Sequence, residues 1–284
     1  MAPSSHLANY LNMLAMSDET PNALVNFVSG YCETVMAGFR ERWDKYKPEI
    51  YDNEISEAIG GLAARQATLA IEIARNPGIW NGHIAPLVLR CMTDTHITLA
   101  WILGAPLERS RDYIRFGLGQ EKLFIEYLQN EADQAPAGEL DERVKEMIEM
   151  RKDWLNSQLM EWAIEVNVGS WSGKSTRDMA IEAGCEGLYK FAYVPFSGPA
   201  HSMWQHVGLY NVVPCENPLH KNHRIPVIPE LRTDPDYLYR SAKYVSRTYD
   251  LLTEKLHLKC DVPLPVTYFV DNQPFSRADE ETNG

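Results

Sequence analysis

Apolar positions recur at helical spacing along most of the chain. From Pro21 to Tyr46, Leu24, Phe27, Val28, Tyr31, Val35 and Phe39 repeat at three and four residues, with Pro21 ahead and Pro48 behind. That spacing predicts an amphipathic helix. Asp52 to Arg75 repeats it through Ile55, Ile59, Leu62, Leu69 and Ile73, and Asn76-Pro77-Gly78 stops it. Gly60-Gly61 inside this helix signals close helix packing or a bend. Leu87 to Leu103 is the most apolar long segment; Pro86 in its first turn and Gly104 and Pro106 beyond it mark a buried helix. Leu107 to Glu131 follows with Tyr113, Phe116, Leu118, Leu123, Ile125 and Leu128, interrupted by Gly117-Leu-Gly-Gln-Glu121. Residues 133–138 read as a linker, and Glu139 to Glu165 as a charged helix with a mostly solvated face.

The second half is more broken. Ser175-Thr-Arg-Asp178 is a capping box opening a short helix that ends at Gly184. Glu186 to Val194 predicts another short helix stopped by Pro195, and Ser197 is the expected N-cap of a helix carrying His201, Trp204 and His206. Val213 to Pro235 holds five prolines and reads as an irregular excursion before a helix from Pro235 to Leu258. No alternating run of strand length stands out, and there is no internal repeat. The expected architecture is all-α, a bundle of seven or eight helices. It divides into an N-terminal arm (1–20), a single helical domain (21–258) and an extended acidic tail (259–284) containing Asp279-Glu-Glu281.

Composition narrows the function classes. The 284 residues are 45% hydrophobic, enough for a sizeable core. Lys plus Arg is 27 against Asp plus Glu 39, a net charge of −12. This disfavours general binding to a nucleic-acid backbone and leaves room only for a local basic groove. There is no apolar run of membrane-spanning length and no basic-then-apolar leader pattern. Five scattered cysteines form no CxxC pair, and Cys32 and Cys91 sit in apolar helical patterns as small hydrophobes. A reduced, cytoplasmic protein away from membranes is expected.

Candidate chemistry begins on the Leu87–Leu103 helix, which carries Arg90, Asp94 and His96. At about 100° per residue, Arg90, Asp94, Ile97 and Trp101 share one narrow face. A core helix buries an arginine and an aspartate only when something pairs with them. They pair with each other or with a neighbouring helix, or they line a functional pocket; both readings stay open. Arg90 and His96 have the Arg-x4-6-His spacing of HEPN ribonucleases, helical bundles in which the His and Arg act on the 2′-hydroxyl and the scissile phosphate. In an unbroken helix, however, His96 lies about 120° around from Arg90. A shared site needs a distorted helix start or a partner subunit, so a homodimer belongs to that reading. His201, in an expected first turn among aromatics, is a candidate acid–base group.

Metal is the third possibility. Asp94, Glu121, Glu126, His201 and His206 are ligand types, but the Glu-x-x-His spacing of a di-iron bundle is missing. Cys215, His220 and His223 lie in a proline-rich loop and lack a fourth ligand. No metal and no cofactor is expected. Asn167 to Ser175 imitates a phosphate-binding P-loop but has three residues between Gly169 and Gly173, where the motif has four.

Three separated elements, Leu89-Arg-Cys-Met-Thr-Asp94, Trp171-Ser-Gly-Lys-Ser175 and Tyr189 through Ser197-Gly-Pro-Ala-His201, together resemble an uncharacterised, mainly bacterial family, the domain of unknown function 5677, over roughly residues 55 to 210. The resemblance implies a helical fold and no settled activity. Helical families of this kind look similar to HEPN proteins, many of them effectors of antiviral or toxin systems. Two departures stand out: Asp94 replaces an expected Glu, and Val194 follows Tyr193 where relatives often carry Arg. The expectation is a polar pocket of Arg90, Asp94, Ser197 and His201 in a HEPN-like, metal-independent ribonuclease acting on RNA. In it His201 is the general base, Arg90 the phosphate-charge stabiliser and Asp94 the group that orients Arg90. The rival is a non-catalytic interaction or small-molecule-binding protein, and a metal-dependent hydrolase comes third.

Overall fold

The computed structural model describes residues 20–48, 51–134, 142–159 and 170–274. The 1–19 part of the expected arm, most of the 133–138 linker, both ends of the 139–165 helix and the acidic Asp279-Glu-Glu281 stretch lie outside the described residues. The helices are α1 (Thr20–Lys45), α2 (Asn53–Arg75), α3 (Ala85–Ile102), α4 (Pro106–Gln134), α5 (Glu142–Leu159), α6 (Thr176–Glu182), α7 (Glu186–Leu188), α8 (Val194–Ala200), α9 (Trp204–Tyr210), α10 (Asp236–Lys255) and α11 (Pro265–Asn272). A π turn, Tyr189–Tyr193, joins α7 to α8. Among the described residues the fold is helical apart from one two-stranded antiparallel ribbon, β1 (Val212–Pro214) with β2 (Arg224–Pro226), in which Val213 pairs with Ile225. Among the described residues no helix is long and apolar enough to cross a membrane.

Helix α3 is the axis of the core. Pro86 sits in its first turn, and Asn81 Oδ1 accepts the backbone N–H groups of His83 and Ile84 just ahead of it. It packs against α2, α4, α6, α8, α10 and the π turn. A helix touched on so many sides must be apolar nearly all round. Leu89, Met92, Ile97, Leu99 and Ile102 are accordingly sealed from solvent, each worth about 1.5–3 kcal/mol of burial. On α1, Leu24, Phe27, Val28, Tyr31 and Val35 form the buried face, as the three-four spacing requires. Arg42 ties α1 to α10: its Nε donates to Tyr249 O and Thr253 Oγ1, both at 3.1 Å, and Nη1 donates to Gly38 O at 2.8 Å. Gly60 of α2 makes room for Trp43 of α1, since a Cβ there would lie 2.6 Å from the indole ring; Gly61 faces open space.

Three sequence expectations are corrected. Helix α4 runs through Gly117 and Gly119 without a break, because Leu118 and Ile125 pack on Leu155 of α5 and Glu121 pairs with Arg151 at 2.6 Å. That packing outweighs a propensity loss of about 1 kcal/mol per glycine. The 213–235 excursion contains the β ribbon, whose three-residue strands are too short to show alternation. The segment expected to be an extended tail contains α11, which starts on Pro265 and is anchored by Val266 N–H donating to Ser246 Oγ at 2.9 Å. Phe269 of α11 is buried edge-on to Phe27, with ring centroids 5.3 Å apart.

Phe269→Ala therefore removes the apolar anchor of α11. The expected loss is about 3–5 kcal/mol, read from urea unfolding followed by circular dichroism. A loss below about 1 kcal/mol shows that α11 is not part of the cooperative core.

Candidate functional site

Helix α3 carries polar chemistry on two flanks. On the first, Arg90 Nη1 forms an ion pair and hydrogen bond with the Asp94 carboxylate, while Nε donates to Ser197 Oγ at 3.1 Å. The guanidinium lies 3.0 Å from the centroid of the Tyr193 ring, an arginine–aromatic stack. Ser197 Oγ in turn donates to Tyr193 O at 2.8 Å. The π turn makes this possible: its wide turn, closed by Val194 N–H donating to Tyr189 O, sets Tyr193 over Arg90 and stacks it on Tyr189 at 4.8 Å. The Arg90 side chain is 13% exposed and that of Asp94 45%. Burial pushes the Asp94 carboxyl above its ordinary range, and Arg90 opposes the rise.

The structure thus brings Arg90, Asp94 and Ser197 together and adds Tyr193. His201 it places differently. Ser197 lies inside α8 rather than at its N-cap, and Pro195 occupies the first turn of α8 instead of ending a helix. Helix α8 stops at His201, Ser202 adopts φ 49°, and α9 begins after Met203. His201 therefore stands at a helix C-terminus, not in the first turn where the sequence placed it. Its ring is exposed and makes no hydrogen bond among the described residues.

His96 occupies the second flank, so Arg90 and His96 form no pair within one chain. Its Nδ1 lies 3.0 Å from Thr248 Oγ1, which donates its one proton to Tyr244 O at 3.1 Å and also accepts from Gln66 Nε2 at 3.2 Å. With the hydroxyl proton committed, Nδ1 must carry the imidazole hydrogen and Nε2 is left as an acceptor. Burial, with the positive charge of Arg247 second, pulls the imidazole down to about 4.

His96 lines the floor of an open cleft of about 1030 Å³. One wall is the polar stripe of α10, with Asp236, Arg240, Lys243, Arg247, Asp250 and Glu254 at alternating four- and three-residue steps; the other runs from Ala183 to Ala192. Arg240 pairs with Asp236 at 2.5 Å. Lys243 and Arg247 are exposed and, among the described residues, form no ion pair. Sequence reasoning missed this cleft because the 235–258 helix was read by its apolar positions alone.

The Trp171-Ser-Gly-Lys segment holds the frame. Trp171 packs edge-on between Trp101 and Tyr113, at 5.3 and 5.2 Å. Lys174 pairs with Glu182 at 2.5 Å, and Glu182 also accepts Trp101 Nε1–H at 2.6 Å. Gly173 takes φ 63°, and Ser175 Oγ caps α6 by accepting the Asp178 N–H. The metal-type residues Asp94, Glu121, Glu126, His201 and His206 do not converge among the described residues; Cys215, His220 and His223 do. Cys32 is buried as expected, whereas Cys91 is exposed.

A family model described as a family of unknown function (DUF5677) matches residues 56–218, more than half of the chain. The chain belongs to that family. No curated protein and no solved structure matches it. The family match takes in the Arg90–Tyr193–Ser197 cluster and one wall of the cleft, while α10 lies beyond it.

The depressed His96 gives a pH signature. Unfolded, the ring takes a proton below about 6.5; folded, it resists until about pH 4. The unfolded chain thus binds more protons in that window. The stability His96 contributes is complete above pH 6.5 and falls away as pH drops to about 4, by up to about 3 kcal/mol at roughly 1.4 kcal/mol per pH unit. Urea midpoints from pH 7.5 to 4 should show the slope, and His96→Gln should flatten it. An unchanged slope in His96→Gln refutes the assignment.

Proposed function

We propose that this family member is a binding protein whose cleft between α10 and Ala183–Ala192 takes a small phosphate- or carboxylate-bearing molecule. The observation that carries this reading is that Lys243 and Arg247, without an ion pair among the described residues, share one cleft with a neutral His96. A site built this way attracts an anion through its wall and accepts a hydrogen bond at its floor through His96 Nε2. The net charge of −12, and the carboxylates of Asp236, Asp250 and Glu254 on the same wall, make these two cations a local feature, suited to a compact anion rather than to a long polyanion. At low salt, thermal unfolding with a panel of nucleotides and sugar phosphates should identify a ligand that raises Tm by roughly 5–10 °C at about a hundredfold over its Kd. Lys243→Glu with Arg247→Glu should abolish the rise while leaving the Tm of the free protein within about 2 °C, because both side chains are exposed. A rise that survives the double substitution places the ligand elsewhere, and no rise with any anion removes the reading.

A second reading is the HEPN-like, metal-independent ribonuclease of a defence or toxin system. One observation favours it: Ser197, bonded to Arg90, stands one turn before His201 on the same helix. Total RNA examined after brief expression of wild type, Arg90→Ala and His201→Ala separates the two. The binding reading expects intact RNA in all three. It also expects a loss of about 2–3 kcal/mol in Arg90→Ala, which strands Asp94 and Ser197, and near-wild-type stability in His201→Ala. RNA cut by wild type and spared by a fully folded His201→Ala establishes the ribonuclease instead.

A further inference from the structure

The β ribbon closes on a loop of unusual chemistry, Cys215-Glu-Asn-Pro-Leu-His220-Lys-Asn-His223. Its ends are held by the ribbon: Pro214 is opposite Arg224, and Cys215 N–H donates to His223 O at 2.9 Å. Two further backbone bonds, His220 N–H to Asn217 O at 3.0 Å and His223 N–H to His220 O at 3.1 Å, fold the loop in successive tight turns. Asn222 takes φ 61°, a left-handed conformation that asparagine tolerates. As a result one ligand atom each from Cys215, His220 and His223 lies within 4.8 Å of the others.

We propose that these three residues bind one zinc-class divalent ion per chain, with a fourth position open to water or an incoming ligand. The distances carry the inference. Cys215 Sγ is 3.7 Å from His220 Nδ1. In a tetrahedral zinc site, with a zinc–sulfur bond of about 2.3 Å and a zinc–nitrogen bond of about 2.0–2.1 Å, the sulfur–nitrogen edge is about 3.6 Å. The two rings meet edge-on with centroids 5.4 Å apart, so their nitrogens approach one point without stacking. Asn217 Oδ1 accepts the Leu219 N–H at 3.0 Å, which helps fix the turn that carries His220. One thiolate and two imidazoles are the borderline-soft donors that zinc prefers to magnesium or calcium. A missing fourth protein ligand is the ordinary state of an open zinc site. Binding is coordination only: the Cys215 thiol releases its proton to solvent, both imidazoles bind neutral, and no oxidation state changes.

Cobalt is the probe. Full-length protein stripped with a chelator, kept reduced and titrated with Co²⁺ should bind one equivalent, with a thiolate-to-cobalt charge-transfer band and visible bands of tetrahedral intensity. Zn²⁺ should then displace it. Cys215→Ser should remove the charge-transfer band, and His223→Ala should lower affinity at least tenfold. Helical content should be unchanged throughout, since the loop lies outside the core. A wild-type protein that gives no charge-transfer band overturns the site. A band that persists in Cys215→Ser also overturns it, assigning the metal to one of the other cysteines.

Discussion

The accommodation of Arg90 on an otherwise apolar helix sets the terms for the second half of the molecule. A guanidinium on a core helix has lost most of its water and must find polar and aromatic partners. Asp94, one turn along α3, supplies the counter-charge; Ser197 and Tyr193, a hundred residues later, supply a hydroxyl and a ring face. Meeting both needs from one short segment fixes its geometry. Ser197 must sit a turn after Tyr193, and the extra residue of the π turn brings both into line. The chain between α6 and α8 is therefore docked on α3 by a polar contact as much as by burial, with Leu188, Ala192 and Phe196 completing the seal.

The cleft is a consequence of that docking. Its Ala183–Ala192 wall stands where it does because Tyr193 is held over Arg90. Its other wall stands where it does because α10 packs on α1, α2 and α3 through Leu238, Ala242, Val245 and Tyr249. Buried behind the cleft lining, Gln66 and Thr248 hold His96 through one connected set of hydrogen bonds. The direction of those bonds decides the chemistry on offer: a hydroxyl already donating to a carbonyl leaves the imidazole as Nδ1–H, and burial keeps it uncharged. A neutral imidazole and two cations thus line one cleft, with Asp236, Asp250 and Glu254 among them.

Much of this was legible in the sequence, and what was not has physical reasons. Long helices with buried faces announce themselves through periodicity, as Leu24 to Val35 and Ile55 to Ile73 do. The pairing of Arg90 with Asp94 was readable from their four-residue spacing, and the cap at Ser175 from Asp178 three residues on. The 186–210 run was misread because its helix limits are set by tertiary contacts: the π turn carries the helix past Pro195, and the break falls at Ser202, where nothing local demands it. The Cys215–His223 cluster was discounted as a loop lacking a ligand, because convergence depends on the β ribbon, whose strands are too short to leave a pattern. The helix at Pro265 was hidden by flanking prolines and by a length of eight residues, too few for periodicity to speak.

The same geometry bears on how Arg90 could serve chemistry. An arginine that stabilises a developing charge has to present free N–H groups to it. In this chain Nε is bonded to Ser197, Nη1 to Asp94, and one face of the guanidinium is covered by Tyr193. A phosphate reaching it must compete with Asp94, whose carboxyl burial pushes above its ordinary range while Arg90 opposes the rise. Displacing that carboxylate leaves a charge half-buried beside an apolar helix, a cost that substrate binding has to offset before any rate is gained. Lys243 and Arg247 carry no such debt. They are exposed, without ion-pair partners among the described residues, and next to a neutral acceptor, so an anion enters their cleft without breaking an existing pair. That difference in what must be broken first is why the proposed anion site is the α10 cleft and not the Arg90 cluster.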